Sequence, residues 1–287
     1  MILLSPLHAQ PLLAARATGA PVASASPDLG LTHATVRLTP DTVQFPDEPP
    51  VPWAAVDAVC RHASRTPAAS SPCFLFRGGE AERITVYSEH TGRVCSLAAT
   101  NGAPTIVLAG FPMHRVKDTD PMHDTRAKVR AIAPIVGRVL DTATGLGYTA
   151  IEAARTAAVV VTVELDPAVL AVARLNPWSR ELFESKAITQ LVGDSATVVA
   201  HFDDESFARV VHDPPTLALA GDLYAETFYR QLHRVLKRGG RLFHYVADPR
   251  SPSGRRTTAG VIRRLHAAGF ARVRERPEAF GLVAVKD

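Results

Sequence analysis

A chain of 287 residues, 46% apolar and 21% charged, has the composition of a soluble globular protein with room for one large or two modest domains. Cys60, Cys73 and Cys95 lack metal-ligand spacing and are odd in number, so no metal site and no disulfide framework are expected, and the setting is read as reducing and cytoplasmic. The start has no cationic leader and its apolar run is broken by Pro6 and Pro11, which argues against a signal peptide or a membrane span, while a net charge of +4 permits an anionic partner such as RNA without requiring one.

Residues 1–30 are rich in proline and alanine and are expected to form an N-terminal arm with one short helix near His8 to Arg16. From 31 to 115 short strand patterns with turn punctuation predict a small, mostly β domain. Thr35–Leu38 and Thr42–Phe45 flank Thr39-Pro40-Asp41, and Phe74–Phe76 and Ile84–Tyr87 flank Gly78-Gly79. A further pair, around Val94 and Ile106–Leu108, flanks Asn101-Gly102, and Trp53 to His62 reads as a helix. The polar stretch from Met113 to Lys128 reads either as a solvated linker or as a segment that closes over a ligand, with Arg115 and Lys117 as candidate substrate contacts.

Residues 116–287 alternate strand and helix as a doubly wound sheet does. The predicted elements are a strand ending at Asp141, helix Ile151–Ala157, strand Val159–Glu164, helix Ala168–Leu175, strand Ile188–Val192, helix Ala196–His201 and strand Ala208–His212. A helix from Asp222 to Lys237 follows, stopped by Gly239-Gly240, then strand Arg241–Val246 and a loop containing Arg250, Arg255 and Arg256. Helix Thr258–Ala268 and strands Ala271–Arg276 and Gly281–Val285 complete seven strands.

The chemistry is concentrated at strand ends. Asp141-Thr142-Ala143-Thr144-Gly145-Leu146-Gly147 is a strand, a tight glycine turn and a helix start, where backbone N–H groups meet a ligand. Glu164-Leu165, at the end of the next strand, stands where an acid holds ribose hydroxyls. An acid at Asp141 would repel a pyrophosphate and favour a cationic nucleoside, so S-adenosylmethionine is expected over NAD.

With these residues the chain resembles the class I S-adenosylmethionine-dependent methyltransferases over about residues 125–287, with Ala143 at the first glycine of their D-x-G-x-G-x-G pattern. The resemblance implies a Rossmann-like seven-stranded sheet whose last strand is inserted antiparallel. It also implies that Glu164 holds the ribose, that Asp194-Ser195 meets the adenine amino group, and that His212-Asp213-Pro214-Pro215 corresponds to the D/N-P-P motif beside the methyl. The chain is more closely similar to an uncharacterised, mainly archaeal methyltransferase group through Asn176-Pro177-Trp178-Ser179 and Leu236-Lys237-Arg238-Gly239-Gly240.

Asp213 and Pro214 are therefore the expected catalytic pair, accepting hydrogen bonds from an N–H₂ nucleophile, with His212, His244 and Tyr245 as candidate substrate contacts in the same crevice. Families with this motif often carry an aromatic residue after the prolines to stack a base, and here that residue is Thr216. Trp178 is expected either to lid the adenine or to pack below Glu164. The leading expectation is methyl transfer to a nitrogen of RNA or another polar substrate, with no membrane partner and a homo-oligomer left open. The alternatives are an aminopropyltransferase using decarboxylated S-adenosylmethionine and a non-catalytic RNA-binding protein.

Overall fold

The computed structural model describes residues 1–61, 71–217 and 219–287. By its contacts the chain divides into two units, 1–122 with 168–180, and 123–167 with 181–287. The division falls after the expected boundary at 115, and 168–180 goes with the first unit.

In the first unit the N-terminal segment is no arm. Ile2–Leu4 pairs antiparallel with Phe74–Arg77, and this apolar triplet buries Leu3 and Leu4 completely. Pro6, whose ring fixes a helical φ, starts the helix Pro6–Ala17. Strands Val22–Ala25, Ala34–Leu38, Thr42–Gln44 and Val51–Pro52 form one antiparallel sheet, including the hairpin expected across Thr39–Asp41.

Around Gly78-Gly79 the pairing differs from the one read from sequence. Phe74–Arg77 turns back on Glu80–Arg83, with both glycines in the left-handed region that this tight turn requires. Thr85–Ser88 pairs instead with Arg93–Ala99, which also takes Thr105–Leu108 on its other side, as the Asn101-Gly102 turn predicts. Helix Trp53–Arg61 buries Trp53, Val56 and Val59, and its predicted last residue, His62, lies outside the described residues.

The second unit is the doubly wound sheet. It contains α1 (Pro121–Ala131) from His123 on, β1 (Arg138–Asp141), α2 (Tyr148–Ala154), β2 (Val159–Glu164), β3 (Ile188–Val192), α3 (Ser195–Ala200) and β4 (Phe207–His212). After these come α4 (Glu226–Val235), β5 (Leu236–Tyr245), α5 (Pro252–Ala267), β6 (Arg272–Arg276) and β7 (Gly281–Val285). The strand order is β3-β2-β1-β4-β5-β7-β6, parallel except for β7, which is antiparallel to both neighbours. The order reverses between β1 and β4, so the crevice at a topological switch point opens beyond the carboxyl ends of those strands.

Alternation along the strands sorts the core. Val210, Leu242, Leu282 and Ala284 face Phe228, Leu232, Val261 and Leu265 of α4 and α5. Val211, Phe243 and Val283, one residue out of phase, face Ile132 just beyond α1.

Helix Ile151–Ala157 of the sequence reading is Tyr148–Ala154, the helix expected from Asp222 begins at Glu226, and two further boundaries change the kind of element. Leu236 to Gly240 is strand, not helix end: Leu236 pairs with Phe207, and the register then shifts before Arg241 pairs with Arg209. Gly239, at φ +71°, fits this bulge rather than a helix stop. Arg255 and Arg256 lie in α5, not in a loop, because Ser251 caps that helix by accepting from Gly254 N–H at 2.9 Å and Pro252 takes its first position. Among the described residues no helix is long and apolar enough to cross a membrane.

Candidate active site

Residues 142–147 must turn β1 into α2, and hydroxyl groups fix that path. Asp141 is completely buried, and its Oδ2 accepts from the Thr149 hydroxyl at 2.9 Å and the Thr162 hydroxyl at 3.2 Å. The Thr162 oxygen accepts in turn from the Thr144 hydroxyl at 2.7 Å, and Thr144 N–H donates to the Val163 carbonyl at 3.0 Å. Asp141, expected to favour a cationic ligand, holds the loop from beneath in this structure. Burial pushes its carboxyl up to about 7 against the pull of the Thr149 hydroxyl.

The two loop glycines do different work. Both have left-handed φ, +53° at Gly145 and +78° at Gly147. A Cβ on Gly145 would meet nothing within 4 Å, so the loop has an open face there, whereas one on Gly147 would lie 2.6 Å from Leu182 Cδ2. Gly145→Ala is therefore expected to cost about 1–2 kcal/mol in stability while filling the ligand's space and weakening binding. Gly147→Ala adds a packing clash to the same backbone strain, about 2–4 kcal/mol in all. Urea denaturation compares them, and equal losses would remove the packing role of Gly147.

Glu164 flanks the open face. Its Oε2 accepts from Gly145 N–H at 2.8 Å and its Oε1 from Asp166 N–H at 3.1 Å, and burial pushes the carboxyl up to about 7 against those bonds. Ala143, on the same loop, is half-buried, and Leu165 keeps 45% of its surface exposed. Gly193 N–H donates to the Glu164 carbonyl at 2.8 Å, which brings the end of β3 beside β2. Asp194 next to it is exposed and caps α3 through Ala196 N–H at 2.8 Å, while the buried Ser195 hydroxyl donates to the Thr142 carbonyl at 2.6 Å. These residues fit a nucleoside cofactor, with an open glycine face, a carboxylate at its edge and an exposed apolar side chain alongside. Trp178, in the first unit, donates to the Leu29 carbonyl at 3.1 Å.

Beyond β4 the strand-end residues divide between the two faces. His212 is fully buried: its Nε2–H donates to the Leu223 carbonyl at 2.9 Å and its Nδ1 accepts from the Thr142 hydroxyl at 2.6 Å. Both ring nitrogens are engaged, and burial lowers its pKa to about 3, so in this structure His212, a candidate substrate contact, is a neutral strut. His244 lies on the same face, equally buried, with Nε2 at 2.7 Å from the Tyr229 hydroxyl. Tyr245 follows it and so points to the other face, where its ring lies 4.8 Å from Lys128 Nζ. The single crevice expected for His244 and Tyr245 is therefore two environments on opposite sides of the sheet.

Asp213 is on the Tyr245 side. Lys128 Nζ reaches it at 2.6 Å and Asp124 at 2.7 Å, with Lys128 2% exposed, Asp124 fully buried and Asp213 19% exposed. Burial works to lower the Lys128 pKa, but the two carboxylates together outweigh it and hold the ammonium charged, above its ordinary value. Burial raises the Asp213 carboxyl while Lys128 pulls it down. Pro214 is buried, and Tyr224 donates to the Pro215 carbonyl at 3.1 Å, so the turn is anchored on both sides. Sequence reading treated Asp124 and Lys128 only as part of a polar segment, although their i,i+4 spacing after Pro121 is a helix signature. Arg115 is half-buried and Lys117 exposed, both in the first unit. Among the described residues no group of His, Cys, Asp or Glu is arranged to hold a metal ion.

Residues 139–240 match the family model described as a methyltransferase domain. Over 185 residues the chain is 49% identical to an uncharacterised protein of Methanocaldococcus jannaschii, a match that covers 64% of this chain and 64% of that protein's length. Among solved structures it resembles a spermidine synthase in complex with the transition-state analogue AdoDATO, at TM-score 0.60 and 18% identity over 79% of this chain and 78% of that one. It also resembles the spermidine synthase of Thermotoga maritima, at TM-score 0.56 and 17% identity over 79% and 77% of the two chains. At these identities the structural likeness is one of fold.

Proposed function

From a chain that carries a methyltransferase domain over residues 139–240, we propose an enzyme that binds S-adenosylmethionine against the Gly145 face and transfers its methyl group to a nitrogen of RNA or another polar substrate. The observation that carries this reading is the open space over Gly145, edged by the Glu164 carboxylate and one strand away from Asp213. When bound, the cofactor supplies an electrophilic methyl group. Glu164 accepts from the ribose hydroxyls, and the exposed Leu165 and Asp194 flank the adenine. Asp213 and the Pro214 carbonyl accept from the nucleophile's N–H₂ and align its lone pair, which is the larger part of what a displacement of this kind asks of a protein. Lys128, charged and buried, holds Asp213 in place.

The fold shared with spermidine synthases supports a second reading, aminopropyl transfer from decarboxylated S-adenosylmethionine. A polyamine acceptor needs carboxylates free to meet its ammonium groups. Asp124 and Asp213 already share Lys128, which disfavours that acceptor.

Calorimetric titration with each cofactor between pH 6 and pH 8.5 tests both readings. Hydroxyls donating to Glu164 favour its ionised form, so a carboxyl near 7 in the free protein releases its proton on binding. Affinity for S-adenosylmethionine is then expected to be full above about pH 7 and to fall by up to about tenfold per unit below it. Glu164→Gln should bind more weakly and lose that slope. Absence of binding by the folded protein at every pH rejects the methyl-donor reading, and tighter binding of the decarboxylated cofactor selects the second one.

A further inference from the structure

On the α1 face of the sheet lies a cavity of about 310 Å³ lined by Arg130 and Ala131 of α1, Arg241 of β5, Arg276 at the end of β6, and Glu278. Three arginines from three elements thus line it together with one carboxylate. Arg241 is also the register partner of Arg209 on the adjacent parallel strand, an arrangement of like charges that costs stability unless something answers it. Carbonyls at the end of α1 do so in part: Arg209 Nε donates to Ile132 O at 2.8 Å and Pro134 O at 3.0 Å, and Arg241 donates to Ala133 O. A guanidinium has five N–H donors, so Arg241 keeps others for a ligand.

The remaining two arginines have little to bind within the protein. Among the described residues the Arg130 side chain has no hydrogen bond or ion pair, and Arg276 reaches only the Glu275 carbonyl, at 3.5 Å. Elsewhere on this unit Arg155, Arg230, Arg234 and Arg272 each pair with a carboxylate. The three arginines that line the cavity have no carboxylate partner among the described residues, and alanines form part of its wall.

We propose that this cavity binds a phosphate-type oxyanion, gripped by the planar forks of Arg130, Arg241 and Arg276. The match is one of geometry as well as charge, since guanidinium groups meet phosphate oxygens two at a time. The phosphate belongs either to a nucleic-acid backbone or to a free nucleotide or pyrophosphate. Arg130 lies two residues beyond Lys128 on α1, about 3 Å along its axis, so a backbone phosphate here would belong to a strand passing close to Asp213. The site itself stands whether or not the methyl-transfer reading holds.

The test uses the full chain and its Arg130→Gln/Arg276→Gln variant, titrated with sodium pyrophosphate and, by fluorescence anisotropy, with a short labelled single-stranded RNA at low and moderate salt. Wild type is expected to bind at least one probe, and the variant to bind it about tenfold or more weakly. For RNA the slope of log affinity against log salt should fall by up to about two, one for each lost phosphate contact. Loss for RNA alone assigns the site to a backbone, and loss for pyrophosphate as well assigns it to a free phosphate. The proposal is overturned if neither probe binds wild type, or if the variant binds both as tightly. S-adenosylmethionine titration of both proteins shows separately whether the Gly145 face is intact. Arg130→Gln alone, on an exposed helix face, repeats the measurement should the double variant fold poorly.

Discussion

Replacing Lys128 with methionine is expected to cost about 3–5 kcal/mol of folding free energy. Lys128 sits at 2.6 Å and 2.7 Å from two carboxylates, one of them fully buried, and methionine fills the space but leaves both charges unanswered. The loss arises from the stranded carboxylates and not from lost packing. Adding Asp124→Asn to Lys128→Met should therefore recover a substantial part of it. Chemical denaturation of the single and double variants measures both effects. A single-variant loss under about 1 kcal/mol would show that the triad is wetter than its burial implies.

Asp213→Asn is expected to lower the turnover of methyl transfer by about 10²-fold, the range for a nucleophile held out of line. Cofactor affinity should be unchanged, because Glu164 and the Gly145 face belong to other strands and loops. Asparagine keeps the shape and keeps Lys128 paired through Asp124, so the protein should stay folded. The measurement is incorporation of labelled methyl from S-adenosylmethionine into RNA or metabolites from a strain lacking the gene. An undiminished rate would remove Asp213 from the reaction.

The strands that could be read most directly are those whose composition leaves no alternative. Val159–Glu164 and Gly281–Val285 are apolar runs ending at a loop, and their observed limits are the expected ones. Leu236 to Gly240 misled because basic residues and paired glycines after an amphipathic stripe are also how a helix ends. Pairing with Phe207, a contact remote in sequence, decided otherwise. The site divides along the same line. Asp141, Glu164 and Gly145 are local to strand-turn-helix patterns and could be found from them. The Lys128–Asp213 pair joins residues 85 apart, and no local pattern announces it. His244 and Tyr245 were placed together because they are adjacent in sequence, although period two sends neighbours to opposite faces.

Helix α1 carries Lys128 toward Asp213 and, about 200° further round its axis, Arg130 toward the arginine cavity. Eleven residues of α-helix hold both side chains on one frame, so the placement of one fixes that of the other. Were occupants of the two places to influence each other through that frame, the free energy that one lends would be returned by the other in equal measure.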